Sequence, residues 1–290
     1  MPKLLEKLGN NKVGTVDTAE TEREAEAEAN TNIERPVVAT SGVVGEEEVL
    51  SAPASAHAVD ATVTMSTSRV LKTVVFMGSA KDIAPPWGGP SRLGDGVLNY
   101  VKSELAKRSK ALGDEVVSHD VTVFDPIDVF AKDGALATSG AELRHPHFFF
   151  KQGDAPEKME QMRAAIKAAD AFLVVTAEYN HSAPPALLSM LDHFGGSNYA
   201  YKPSGIVTYS PGPYGGARAA IALRPVLSEL GCLPVSKLAC FSSAGEVFNS
   251  DGTIKEDANT RQLKMLPDLL SQLEWWAVAC LKQKEASGTP

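Results

Sequence analysis

Short, nearly continuous apolar runs recur along the chain from residue 70 onward, and they constrain its fold more than any other feature. Val70–Met77 reads VLKTVVFM and Ala171–Ala177 reads AFLVVTA, with little alternation between polar and apolar residues. Such runs are typical of strands that are buried on both faces of a parallel sheet. The pattern predicts five strands, at Val70–Met77, Glu115–Phe124, Ala171–Ala177, Gly205–Tyr209 and Leu233–Phe241.

Helical patterns lie between these runs. Apolar residues at helical spacing predict helices at Gly94–Leu112, Pro156–Ala169, Pro184–Phe194, Ala217–Leu230 and Ala258–Lys282. Gly113 suits the position after the first helix, and Pro225 and Pro267 are points of distortion in the last two. Strands and helices that alternate in this way favour doubly wound sheets. We predict an α/β, flavodoxin-like three-layer fold with a five-stranded parallel sheet in the order 2-1-3-4-5.

The acidic charge is concentrated before the first predicted strand. The formal net charge is -8, and residues 1–69 carry 6 Lys and Arg against 12 Asp and Glu, which leaves the rest near neutral. The first aromatic residue is Phe76. A segment of this composition buries too little apolar surface to offset its ordering entropy. We therefore predict a disordered acidic tail at residues 1–69 and a folded domain at residues 70–285. A transient helix at Ala19–Ala29 is the alternative for the tail, and Met65 is a candidate internal start.

Composition also limits the partners and the compartment. The acidic balance disfavours nucleic acid and anionic membrane surfaces, and no apolar run approaches the ~18 residues of a membrane-spanning helix. Three Cys residues are too few for a disulfide framework. The N-terminal segment lacks the apolar stretch of a secretory signal and is too acidic for a transit peptide. These observations favour the cytoplasm, with no nucleic acid partner and no membrane insertion.

Three predicted loops carry the residues that could bind a ligand. They follow Met77, Ala177 and Tyr209, and in an open parallel sheet ligands bind beyond the carboxyl ends of the strands. In the first loop, hydroxyl groups and the basic side chains of Lys81 and Arg92 precede a predicted helix N-terminus, which favours an anion. The loop lacks the glycine motifs of dinucleotide and nucleoside triphosphate sites, so a phosphate monoester fits better. A solvated loop is the structural alternative.

The second and third loops differ in character. Glu178, Tyr179, Asn180 and His181 place an aromatic ring among polar groups, although a simple turn in which Asn180 or Ser182 caps the next helix is the alternative. Ser210–Gly216 is rich in glycine, which lets backbone N–H groups approach the edge of a flat ligand. The alternative for this loop is a flexible connector. Their placement at three successive strand ends favours one shared binding site.

Three segments together resemble the NAD(P)H-dependent FMN reductases. They are Gly78-Ser79 with Arg92-Leu93-Gly94, the run Ala177–His181, and Ser210–Arg218. This family of flavodoxin-like flavoproteins includes quinone, azo-dye and chromate reductases. The resemblance implies noncovalent FMN and a homodimer or homotetramer. It also implies ping-pong transfer of a hydride from NAD(P)H to FMN, and of electrons onward to a quinone, free flavin or similar small-molecule acceptor.

The resemblance also implies which residues bind the cofactor. The FMN phosphate would be held by Ser79, Lys81, Ser91 and Arg92; the flavin ring would be lined by Glu178, Tyr179, Asn180 and His181 and bordered by Ser210, Gly212, Gly215 and Gly216. The chain departs from the family in its longer first loop, where Asp82–Gly89 looks inserted, and in Ala177, which replaces a proline. No catalytic residue is assigned, and Tyr179 and His181 are candidates for proton delivery. No metal is predicted, because His145 and His147 are too few ligands for zinc.

Two other functions remain open from the sequence. One is a flavodoxin-type one-electron carrier, which the nearly neutral charge of residues 70–290 weakens, because carriers usually present a strongly acidic docking face. The other is a flavin-binding interaction protein whose acidic tail recruits a partner.

Overall fold

A computed structural model describes residues 67–86 and 88–290 of the chain. Six strands form one sheet in the order β2-β3-β1-β4-β5-β6. Their bounds are β1 Thr67–Met77, β2 Lys110–Leu112, β3 Glu115–Phe124, β4 Ala171–Ala177, β5 Lys202–Tyr209 and β6 Cys232–Phe241. Five strands are parallel and follow the predicted order 2-1-3-4-5, which confirms the flavodoxin-like fold. The predicted count of five strands was wrong because it did not include the short edge strand β2, which pairs antiparallel with β3.

Helices connect the strands on both sides of the sheet. Their bounds are α1 Gly94–Lys107, α2 Pro126–Val129, α3 Glu157–Ala168, α4 Pro185–Asp192, α5 Ala217–Glu229, α6 Ala244–Val247 and α7 Met265–Ser287. Short 3-10 turns occur at His147–Phe149, Gly196–Asn198 and Thr260–Lys264. Pro225 lies within α5, whereas Pro267 lies in the first turn of α7, where a proline removes no helical hydrogen bond. Among the described residues, no helix is long and apolar enough to cross a membrane.

The first predicted helix was wrong at its end. The helix stops at Lys107 because Arg108 adopts extended backbone angles, and Leu112 belongs to β2. Gly113 has a φ of +65° and turns the chain from β2 into β3, where Leu112 pairs with Glu115. A glycine after an apolar helical pattern therefore marks a β-hairpin here rather than a helix end.

The first strand begins three residues earlier than predicted. The Thr67 N–H donates to the Asp114 carbonyl at 3.0 Å, and the Arg69 guanidinium pairs with the carboxylate of Glu115 at 2.9 Å on the neighbouring strand. These contacts fix residues 67–69, which were assigned to the predicted tail, alongside β3 within the sheet. The rest of that tail, with Met65 and the segment Ala19–Ala29, lies outside the described residues.

The central strands β1, β4 and β5 bury both of their faces over their carboxyl-terminal halves. Successive side chains of a strand point to opposite sides, so Val74 and Phe76 join a core with α3, α4 and α5, whereas Val75 and Met77 join a core with α1 and α7. This two-sided burial explains the continuous apolar runs and gives the three layers.

The parallel register brings the three predicted loops to one edge of the sheet. Met77 lies beside Val175 in the pairing of β1 with β4, and Ala177 lies beside Tyr209 in the pairing of β4 with β5. Tyr209 in turn lies beside Phe241, the last residue of β6. The loops after β1, β4 and β5 are therefore neighbours.

Candidate functional site

The first two loops are joined by a direct contact. Ser79, which is buried after β1, lies with its Oγ 3.0 Å from the Tyr179 Oη in the loop after β4. The Nζ of Lys81 lies 4.5 Å from the centre of the Tyr179 ring, a cation–π contact. Ser91 is exposed at the other end of the first loop. The structure thus brings Ser79, Lys81 and Tyr179 together, as the sequence predicted for one shared site.

Arg92 is held by carboxylates. Its guanidinium is buried and bonds to Asp95 at 2.7 Å, to the Ser79 carbonyl at 3.0 Å and to both carboxylate oxygens of Asp125. Burial lowers the pKa of Arg92, but the hydrogen bonds that it donates to Asp125 and Asp95 outweigh burial and raise the pKa overall. Asp125 also accepts the Ile127 N–H at the start of α2. Arg92 therefore ties the first loop to α1 and α2, and its contact with the FMN phosphate stays a prediction.

The second loop is a strained two-residue turn. Asn180 and His181 have φ values of 51° and 64°, both in the left-handed region that non-glycine residues rarely adopt. Tyr179 and Ser182 exchange backbone hydrogen bonds of 2.9 and 3.0 Å across them, which is a primed turn. Helix α4 begins after Pro184, and neither Asn180 nor Ser182 caps it. Both central residues are exposed, so this strained turn presents the side chains of Asn180 and His181 at the surface of the site.

Glu178 points away from the turn, toward the start of α5. Its carboxylate accepts a hydrogen bond of 2.6 Å from the Arg218 Nε and bonds of 3.2 and 3.4 Å from the backbone N–H groups of Arg218 and Ala219. A carboxylate in this place stabilises a helix N-terminus. Glu178 thereby joins the second loop to the helix that follows the third, and its predicted place beside the flavin ring stays a prediction.

The third loop needs two of its glycines for steric reasons. Gly215 and Gly216 have φ values of +60° and +75°. A Cβ on Gly215 would lie 2.9 Å from the backbone of Cys240, and one on Gly216 would lie 2.9 Å from the Thr208 Cβ. Ser210 closes the loop, since its Oγ donates to the Gly212 carbonyl at 2.8 Å and accepts the Gly215 N–H at 2.9 Å. The loop is therefore fixed, contrary to the alternative of a flexible connector.

Two residues outside the three loops, Ser243 and Asp125, also build the site and were not predicted. Ser243 follows β6 with a φ of 45°, and its N–H donates to the Gly212 carbonyl at 2.9 Å. Asp125 follows β3 and anchors Arg92. Both lie at carboxyl ends of strands, so the rule that selected the three loops would have found them if applied to β3 and β6.

The histidine pair lies elsewhere. His147 places its Nε2 2.6 Å from a carboxylate oxygen of Glu160 in α3. Hydrogen bonds from Arg163 and then His147 lower the pKa of Glu160 to about 2. In the described part of the chain, no three His, Cys, Asp or Glu side chains lie together as metal ligands would.

A model of the NADPH-dependent FMN reductase family matches residues 71–246, more than half of the chain. The chain belongs to this family. The match covers all three loops and ends within α6, just after β6.

Two individual reductases are similar to this chain over shorter segments. An NAD(P)H-dependent FMN reductase of Pseudomonas aeruginosa is 32% identical over 125 residues, which cover 42% of this chain and 66% of the relative. A quinone reductase of Pseudomonas putida is 33% identical over 107 residues, 35% of this chain and 57% of the relative. The matches therefore span less than two thirds of these relatives.

The solved flavoenzyme FerB of Paracoccus denitrificans is 19% identical, with a TM-score of 0.49, and the alignment covers 71% of this chain and 97% of FerB.

The residues at the site fit FMN. The buried Tyr209 hydroxyl has no hydrogen-bond partner among the described residues, so it is a polar group available to a ligand. A Cβ on Gly212 would meet no described atom within 4 Å, which leaves open space beside the third loop. Hydroxyl donors at one end and a glycine-lined opening at the other match a phosphate and a flat ring.

Proposed function

We propose that this protein is an FMN-dependent NAD(P)H oxidoreductase that reduces a quinone, free flavin or similar small molecule. The observation that carries the proposal is that the three loops lie together at one sheet edge. Ser79 with Tyr179 joins the first loop to the second, and Glu178 with Arg218 joins the second loop to the helix that follows the third. The family membership supports it independently. Bound FMN would supply the redox chemistry, accepting a hydride from NAD(P)H and releasing electrons to the acceptor.

Each part of the site would have its own task. Ser79, Lys81, Ser91 and the N-terminus of α1 would hold the phosphate end of the cofactor. The turn at Asn180 and His181 would border one edge of the flavin ring, and the glycine loop at Gly212 and Gly215 would border the other. Because the turn and the glycine loop are both fixed by internal hydrogen bonds, they are preorganised to hold the ring.

Proton delivery would fall to the second loop. The Tyr179 hydroxyl is bonded to Ser79, at the phosphate end. His181 is exposed at the tip of the turn. His181 is therefore the better placed of the two candidates to give a proton to a reduced quinone.

The test is the oxidation of NADH and of NADPH by purified protein, with FMN bound and with a soluble quinone as acceptor. We expect a yellow protein and a quinone-dependent loss of absorbance at the nicotinamide band. A yellow protein that consumes neither nucleotide would favour the one-electron carrier. A colourless protein that fails to bind added FMN would overturn the proposal.

We further propose a homodimer or homotetramer in the cytoplasm. The three cysteines support a reducing compartment, since Cys232, Cys240 and Cys280 are all free thiols, and burial raises their pKa values. Light scattering after size-exclusion chromatography measures the assembly, and a monomeric mass would contradict it.

A further inference from the structure

The hydroxyl of Tyr209, at the carboxyl end of β5, stands out because it lacks a partner. Tyr209 is 2% exposed, and its Oη finds no hydrogen-bond partner among the described residues. Burial raises the pKa of Tyr209, and the nearby Ser79 hydroxyl lowers it by a smaller amount. Ser79 Oγ makes its hydrogen bond to Tyr179 at 3.0 Å, and the Ser79 carbonyl accepts a bond of 3.0 Å from Arg92, two residues before Gly94, so Ser79 lies at the same end of α1 as the Tyr209 hydroxyl. Buried hydroxyls are rarely left without partners, and such exceptions often mark functional sites.

The Tyr209 hydroxyl reaches the first turn of α1 because residue 94 is glycine. A Cβ on Gly94 would lie 2.1 Å from the Tyr209 Oη and 2.2 Å from the Met77 Cε. Helix α1 has 14 residues, and the Leu93 N-cap contributes no side-chain cap in the described structure. The N–H groups and the dipole at such a helix end attract anions. A buried hydroxyl donor and an uncapped helix N-terminus thus meet at one point.

The guanidinium of Arg92 is already engaged beside this point. Its hydrogen bonds go to Asp95, Asp125 and the Ser79 carbonyl, so two carboxylates balance its single charge. A phosphate at the start of α1 therefore needs donors in addition to Arg92. The hydroxyls of Ser79 and Tyr209 are the buried donors that remain near the helix end.

We propose that Tyr209 is a positioning residue for the FMN phosphate at the N-terminus of α1. The Tyr209 O–H donates to Ser79 Oγ, and the Ser79 O–H turns from Tyr179 to donate to a phosphate oxygen. A serine hydroxyl can accept while it donates, so this chain satisfies both groups. The proposal rests on the proposed function, because the phosphate is that of FMN.

The experiment compares FMN with riboflavin, which lacks the phosphate. In Tyr209→Phe, we expect the Kd for FMN, measured by quenching of flavin fluorescence, to rise about tenfold. The Kd for riboflavin should not change. The Tm of the protein without flavin should not fall, because the variant removes an unsatisfied hydroxyl. The matched control is Tyr199→Phe, whose hydroxyl donates to the Leu191 carbonyl at 2.9 Å. It should lower the Tm and leave both flavin affinities unchanged.

Two further variants test the path through Ser79. Gly94→Ala places a Cβ against the Tyr209 hydroxyl and should weaken FMN binding without affecting riboflavin. In a Ser79→Ala background, Tyr209→Phe should cause no further loss of FMN affinity, since both changes break the same chain of bonds.

The outcomes separate this proposal from the proposed function. Unchanged FMN affinity in Tyr209→Phe, or equal losses for FMN and riboflavin, would overturn the role of Tyr209 and leave the oxidoreductase intact. Binding of neither flavin by the wild-type protein would overturn the proposed function. In that case inorganic phosphate is the probe. A rise in Tm with phosphate that Tyr209→Phe abolishes supports the anion site, and equal responses of the two proteins overturn it.

Discussion

Gly212 and Gly215 occupy the same loop but differ in their surroundings, which makes them a matched pair at the residue scale. Gly215→Ala would force a Cβ to 2.9 Å from the Cys240 backbone at a φ of +60°, whereas Gly212 has open space around it. We expect Gly215→Ala to lower the free energy of unfolding by about 1–3 kcal/mol. Gly212→Ala should stay within about 0.5 kcal/mol of the wild type. Urea denaturation measures both, and equal losses would show that the loop does not depend on its glycine conformation.

At this scale, sequence patterns predicted which loops meet but not the side-chain contacts within the protein. The loops that carry Ser79 and Tyr179 were predicted to share one site because both follow strand ends, which depends only on topology. The ion pairs of Arg92 with Asp125 and of Glu178 with Arg218 were not predicted, because the partners are distant in sequence. A charged side chain binds whichever opposite charge the fold brings near it, and a single sequence does not show which one that is.

Helix α7 carries two glutamates that differ in burial, and they test its docking on the sheet. Glu274 is fully buried and bonds to the Arg108 Nε at 2.6 Å and the His119 Nε2 at 3.1 Å. Burial raises the pKa of Glu274, but the bonds from His119 and Arg108 outweigh it and lower the pKa overall. The same helix pairs Glu285 with Arg69 at 2.9 Å in an exposed position.

We expect Glu274→Ala to lower the free energy of unfolding by about 3–5 kcal/mol, because it leaves Arg108 and His119 without their buried partner. Glu285→Ala, the control, should change it by no more than about 0.5 kcal/mol. Chemical denaturation of both variants provides the comparison. A loss below about 1 kcal/mol for Glu274→Ala would mean that water replaces the carboxylate and that α7 docks by apolar contacts alone.

Contacts with helix α7 also explain why the end of the first helix was predicted wrongly. Arg108 leaves the helical conformation and extends its side chain to Glu274 and Ser271 in α7, which frees Lys110–Leu112 to pair with β3. The apolar spacing up to Leu112 also suits a helix, so the local sequence holds no signal against one. By contrast, Glu115–Phe124 and Ala171–Ala177 were predicted with their observed bounds, and for Ala171–Ala177 burial within the sheet dictates the apolar composition.

At the scale of the whole molecule, one buried histidine makes stability depend on pH. His193 is fully buried beside Phe130, with its Nδ1 close to the Ser189 carbonyl and its Nε2 without a partner among the described residues. Burial lowers the pKa of His193. The hydrogen bond with Ser189 and the charge of Asp192 raise it by less, so the pKa is lowered overall. A histidine in the unfolded chain has a pKa of about 6.5. The unfolded state therefore takes up the proton at a higher pH than the folded state.

It follows that His193 contributes stability above pH ~6.5, and that this contribution is lost as the pH falls from there through the lower folded pKa. Urea denaturation at pH 7.5, 6.5 and 5.5 should show that the free energy of unfolding becomes smaller as the pH is lowered. His193→Phe, which keeps a ring against Phe130, should flatten that slope. His181→Asn, at an exposed histidine, should retain it. A slope that survives unchanged in His193→Phe would show that the titration belongs to another group.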